Sequence, residues 1–183
     1  MPKSAALLMD LQKDFLNCES GRMPVDRSGA EAVLQAANEV LSKRVLAKAL
    51  PILVLNQFPV TARIANFFRK GAAVAGSAGA ELDARLIIDG SAKVIAKSSP
   101  SAFSNPELER HLRAHGVQEL YVLGVFAEGC VRSTAVEAVA RGYAVHVIEN
   151  AVATNAAWKK RLALWAMKRA GAKIIPSLLA LER

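Results

Sequence analysis

Three reactive side chains of three kinds follow short apolar runs in this chain. Asp10 comes after residues 5–9, Lys97 after residues 94–96, and Cys130 a few residues beyond 120–125. Each has an ordinary structural role open to it. Asp10 can cap the backbone after it, Lys97 can be a surface lysine, and Cys130 can be a small buried hydrophobe. Together they have a chemistry. A thiol is a weak nucleophile until it is deprotonated; a nearby carboxylate can take the proton, and an ammonium can balance the charges. Residues 125–130, VFAEGC, run into a predicted helix whose N-terminal dipole favours a thiolate. The same loop can offer backbone N–H groups to an oxyanion. This chemistry needs no metal, and three histidines (His111, His115, His146) leave little material for a His-rich centre.

The elements that must position these groups alternate along the chain. Residues 5–9, 52–55, 94–96, 120–125, 143–149 and 172–175 read as strands, and 28–49, 105–115, 130–141 and 155–170 as helices. Pro51 stops the first helix; Gly116, Gly142 and Gly171 follow the others. Such alternation predicts an α/β fold: a single domain over 1–183, three-layer αβα and Rossmann-like, with a mostly parallel sheet of roughly six strands. Ligands of open parallel sheets bind beyond the carboxyl ends of the strands, where all three reactive residues fall. Residues 56–92 break the rhythm. They read as a lid or insert over the site, or as a helix with a loose connector.

Composition narrows the class. The 183 residues are 52% hydrophobic and carry a net charge of +8, which excludes a disordered chain. Two cysteines, Cys18 and Cys130, exclude a disulfide-dense scaffold, and Cys18 reads as an incidental thiol. No apolar run suits a membrane span or a leader peptide, so a cytoplasmic protein without membrane partners is expected. Residues 151–183 hold six of the eight net charges, on Lys159, Lys160, Arg161, Lys168, Arg169, Lys173 and Arg183 against Glu182. With only 5% aromatic residues, this reads as a solvated helix face and not a nucleic-acid surface.

Three segments carry a family resemblance. They are Ala6-Leu7-Leu8-Met9-Asp10-Leu11-Gln12-Lys13-Asp14-Phe15, then Lys97-Ser98-Ser99-Pro100-Ser101-Ala102-Phe103, then Gly124-Val125-Phe126-Ala127-Glu128-Gly129-Cys130-Val131-Arg132-Ser133-Thr134-Ala135. In this order the chain resembles the isochorismatase-like cysteine hydrolases, which include nicotinamidases, N-carbamoylsarcosine amidases, ureide hydrolases and isochorismatases. The third segment is most similar to the carbamoylsarcosine-amidase branch. The resemblance implies Asp10 as general base, Cys130 as nucleophile and Lys97 as the charge balancing them. It also implies a cis Val125–Phe126 peptide, with the N–H groups of Phe126 and Cys130 as oxyanion hole. Phe15, Gln57 and Phe58 are candidate substrate contacts. Arg63, Arg69 and Lys70 could meet a carboxylate, and Phe67 and Phe68 could wall the pocket or pack beneath it.

The chain also departs from the family. Nicotinamidases place an Asp-x-His metal cluster after the second strand, whereas this chain reads Asn56-Gln57-Phe58-Pro59-Val60. No metal and no other cofactor is therefore expected. True isochorismatases often lack the cysteine. Ala127 replaces a hydroxyl residue, Phe126 is bulky, and Asn150 stands where Asp is common. The expected function is hydrolysis of a C–N bond in a small carboxamide, carbamoyl or ureide compound through a thioester. The alternatives are a vinyl-ether hydrolase that does not use the thiol, and a catalytically silent binding protein. A homo-oligomer is expected, with Trp158 and Trp165 available for packing or a subunit contact.

Overall fold

The structure is a computed structural model describing residues 3–88 and 90–181. Glu182 and Arg183, counted in the C-terminal charge above, lie outside the described residues, as does Asp89 of the 56–92 segment. In chain order the elements are β1 (Lys3–Met9), α1 (Lys13–Leu16), α2 (Arg27–Leu41), β2 (Leu50–Asn56), α3 (Arg63–Phe68), β3 (Lys93–Lys97), α4 (Pro106–Ala114), β4 (Val117–Val125), α5 (Arg132–Ala140), β5 (Ala144–Ala153), α6 (Ala157–Arg169) and β6 (Lys173–Ile175).

The six strands form one sheet in the order β3-β2-β1-β4-β5-β6, and every neighbouring pair is parallel. Strand alternation sends successive side chains to opposite faces. Leu8, Leu53, Leu123 and Ile148 meet the apolar stripe of α2, made by Val33, Leu34, Ala37 and Val40. Leu7, Met9, Ile52, Val54 and Val122 meet Leu108 and Leu112 of α4, Ala135 and Ala138 of α5, and Leu164 and Met167 of α6. The expected α/β architecture is thus present, with helices on both faces.

Several expected boundaries change, among them the end of β5, which runs to Ala153. The first helix ends at Leu41, not at residue 49. Lys43 and Leu46 take left-handed backbone, which a continuing helix excludes. Val45 is nonetheless buried, so its helix-like spacing reflects packing of a turn. Pro51 therefore lies inside β2 and does not stop a helix. The helix expected at 130–141 begins at Arg132. Residues Ala127–Val131 form an irregular wide turn in which Gly129 leaves helical geometry (φ −102°, ψ −107°).

Strand order reverses between β1 and β4, so the crevice beyond their carboxyl ends is a topological switch point. The two strands approach closely there. Gly124 has φ 122°, and a Cβ on it would lie 2.2 Å from the Met9 carbonyl oxygen. Gly124→Ala is expected to destabilise the fold by about 3 kcal/mol or more, since strained backbone and overpacking coincide. Urea unfolding of the variant beside wild type checks this.

Residues 57–83 are clamped onto the segment after β1. Gln12 Nε2 donates to the carbonyls of Asn56 (2.8 Å) and Ala80 (2.7 Å). Asp14 Oδ2 accepts from Ala73 N at 2.9 Å, and Arg22 donates to the Gly71 carbonyl at 2.6 Å. The loose-connector reading is thereby replaced: this stretch is a docked wall beside the crevice.

Candidate active site

Asp10 ends β1 with left-handed backbone (φ 56°), a conformation Asp tolerates better than most residues. Its N–H donates to the Val54 carbonyl at 2.8 Å, which fixes the turn against β2. Lys97 ends β3, in register with Asn56 at the end of β2. On β3, Ile95 and Lys97 are the buried positions, so the lysine side chain points into the fold. Cys130 comes from the irregular turn after β4. The Val125–Phe126 peptide before that turn is cis.

The Lys97 ammonium has three N–H groups and three neighbours. Nζ lies 3.1 Å from Asp10 Oδ2, 2.7 Å from Asn56 Oδ1 and 3.1 Å from Cys130 Sγ. Asn56 Nδ2 approaches the same sulfur at 3.6 Å. Lys97 and Asp10 are both buried, so their pairing is required to offset desolvation. Asp10 Oδ1 is buried and receives no donor of good hydrogen-bond geometry among the described residues. The Cys130 thiol interacts with this carboxylate and is its available proton donor.

Burial pushes the Asp10 carboxyl above its ordinary value, and the Lys97 charge offsets only part of this. Burial, then the Asp10 charge, push the Cys130 thiol up to about 12. Cys130 itself does not sit on a helix, since the helix proper begins two residues later, and burial of its sulfur disfavours the thiolate. Both shifts disfavour charge on Asp10 and on Cys130, because burial is the largest cause of each.

Above these groups is a cavity of about 310 Å³. Phe15, Met23, Phe58, Pro100 and Phe126 give it apolar walls, and Asn56 and Cys130 contribute to its lining with Arg69, Glu128, Asn155 and Lys159. The Phe15 and Phe126 rings meet edge to face at 5.4 Å. Among the candidate contacts, Phe15 and Phe58 line this cavity. Gln57 does not: its N–H donates to the Lys97 carbonyl at 2.7 Å, and it lines a separate groove with Ser98, Ser104 and Pro106. Asn56 faces inward, so strand alternation turns the next residue away. Phe67 and Phe68 are about four-fifths exposed, at 79% and 78%, and neither walls the cavity nor packs beneath it. Trp158 and Trp165 are likewise exposed, which leaves a surface role and excludes core packing.

Asn56 is the member of the cluster around Lys97 that the sequence reading did not assign, and Met23, Pro100, Asn155 and Lys159 of the cavity lining were not assigned either. The only signal for Asn56 was position, at the end of a strand beside two reactive neighbours. Its placement is fixed by Gln12, whose Oε1 accepts from Asn56 N at 2.8 Å. The donor set also bears on metals. Among the described residues, no group of three or more His, Cys, Asp or Glu side chains is placed to hold an ion. The loop after β2 offers an amide and a phenyl where a metal would need carboxylates or imidazoles, so the residues do not fit one.

Comparison with known proteins identifies the family and the fold. The isochorismatase domain model matches residues 4–177. An uncharacterized isochorismatase family protein of Bacillus subtilis, YddQ, is 30% identical over 152 residues, covering 83% of this chain and 78% of the relative. A probable inactive nicotinamidase of Arabidopsis thaliana is 31% identical, covering 82% of this chain and 80% of that protein. Among solved structures, the pyrazinamidase of Pyrococcus horikoshii in complex with zinc superposes with a TM-score of 0.83 at 29% identity, covering 95% of this chain and 99% of that one. The chain belongs to the isochorismatase family of hydrolases.

Proposed function

We propose that this protein is a metal-independent cysteine hydrolase cleaving a C–N bond of a small carboxamide, carbamoyl or ureide compound. One observation carries the reading: Lys97 Nζ contacts Asp10, Asn56 and Cys130 together beside an apolar cavity. The Cys130 thiol passes its proton to Asp10 as sulfur attacks the substrate carbonyl carbon. The tetrahedral oxyanion is held by the N–H groups of Phe126 and Cys130. Asp10 returns the proton to the departing nitrogen, the C–N bond breaks, and a thioester remains. Water then attacks, Asp10 takes its proton, and collapse releases the acid and restores the thiol. Lys97 favours the ionised form of Asp10 against its burial and meets the developing thiolate, while Asn56 orients both.

The test is ammonia release from a panel of carboxamides, N-carbamoyl amino acids and ureides, with wild type beside Cys130→Ala. Release that vanishes in the variant is expected. Hydrolysis only of a vinyl ether, unaffected by the variant, would establish the thiol-independent alternative. No turnover and no substrate binding would favour the silent binding protein. No described helix is long and apolar enough to cross a membrane.

Assembly belongs to the same reading. No residue of α3 is buried, and Ile64, Phe67 and Phe68 on it stand open. Apolar surface of this kind favours association. Light scattering is expected to return a multiple of 19.5 kDa, and a monomer mass at micromolar concentration would refute the oligomer.

A further inference from the structure

The charges around the cavity do not cancel. Asp10 is compensated by Lys97, and Glu128 by Lys159 at 3.6 Å, with Lys159 also donating to Asn155. Arg69 is left over. It lines the cavity half-buried, at the carboxyl end of α3, and no carboxylate pairs with it among the described residues. Its guanidinium carbon lies 3.9 Å from the centre of the Phe58 ring. That ring is itself fixed, because Phe58 N donates to the Ala73 carbonyl and Phe58 O accepts from Ala75 N. A guanidinium stacked on an aromatic face keeps its N–H edge free for a planar, two-oxygen acceptor. Lys13, Asp14 and Arg22, which clamp this wall from below, are engaged elsewhere.

We infer that Arg69 is a specificity residue that binds a carboxylate on the substrate, so that the preferred compounds are small amides or carbamoyl compounds carrying a second, anionic end. This rests on the hydrolase reading above. The cavity then divides the work. Cys130, with Asn56 beside it, receives the amide; the apolar walls of Phe15, Met23 and Phe126 hold the short body; and Arg69 reads the carboxylate. A neutral diamide leaves Arg69 without an anion, and a cationic substrate is repelled by it.

Succinamate and succinamide form a matched pair, since they differ only in carboxylate against carboxamide. Wild type is expected to prefer succinamate in kcat/KM. In Arg69→Gln the succinamate-to-succinamide ratio should fall roughly 10- to 100-fold, as expected for losing a charged hydrogen-bonded pair, mostly through KM. Arg69→Lys should recover only part of the ratio, because a point charge cannot make the paired contact. An unchanged ratio in Arg69→Gln, or a wild-type preference for succinamide, would overturn the proposal. Calorimetry with Cys130→Ala separates the two readings. Succinamate binding that is lost in the Cys130→Ala, Arg69→Gln double variant supports the carboxylate site even if no amide is turned over. Binding that ignores Arg69 refutes the site while leaving the hydrolase reading intact.

Discussion

Replacing Cys130 with Ala is expected to lower kcat/KM on the order of 10⁵-fold, the scale associated with removing a covalent nucleophile. The fold should be unaffected, because the half-buried sulfur fills little space. Cys130→Ser should be almost as inactive. Burial and the Asp10 charge push the thiol up to about 12, which disfavours a preformed thiolate at neutral pH. Attack must therefore be coupled to proton transfer, and a hydroxyl asks more of Asp10 than a thiol does. The acid side of the rate profile follows from the same arrangement. Asp10 works as a base only when ionised, and burial raises its pKa. Activity should fall as pH drops through that raised value, sooner than an exposed Asp would dictate. A pH–rate profile measures this, and an acid limb at or below an ordinary aspartate value would remove Asp10 from the role of base. Cys130→Ala retaining a tenth of wild-type activity would do the same for the nucleophile.

Asp10→Asn should show two effects of opposite direction. Turnover should fall roughly 10²- to 10⁴-fold with the general base gone. The Cys130 thiol should become more acidic, its pKa moving down from about 12, because the Asp10 charge that raises it is removed while Lys97 remains. Thiolate ultraviolet absorbance against pH reads the second effect. A residue that merely supported the fold would not produce a slower enzyme with a more readily ionised nucleophile. Stability is a poor readout for this variant. A buried carboxyl with a raised pKa favours folding fully only below its unfolded pKa and loses that contribution as pH rises, so removing the charge relieves a cost at neutral pH. The same change strands the buried Lys97 ammonium, which opposes it.

The sheet was legible because each strand is a short apolar run, β-branched in all but the first, and helix patterns separate most of them. The helix over 28–49 was overextended because buried Val45 continues an apolar rhythm through backbone that is no longer helical. Within the site, the charged and nucleophilic groups stood out by type. Asn56 did not, since a neutral amide has no signature until its partners are placed around it. Gln57 was chosen over its neighbour because sequence adjacency says nothing about which side chain alternation turns inward. A helix end is visible in a sequence, whereas the burial around the Cys130 sulfur is not.

The wall over the cavity is held in an unusual currency. Gln12, Asp14 and Arg22 grip it through Ala80 O, Ala73 N and Gly71 O. Lys13 N reaches Glu81 O, and Asp83 N reaches Leu11 O. All of these are main-chain atoms on the wall, and main-chain atoms are the same whatever side chains the wall carries. Glycines set the limits, since a Cβ on Gly79 would lie 2.0 Å from Asp14 Oδ2 and Gly71 and Gly76 take left-handed backbone. Side chains on this stretch, Phe58 and Arg69 included, can therefore be exchanged over generations while the stretch keeps its register beside Cys130. New substrate preferences become accessible by point mutation without rebuilding the nucleophile, and these glycines mark where that freedom stops.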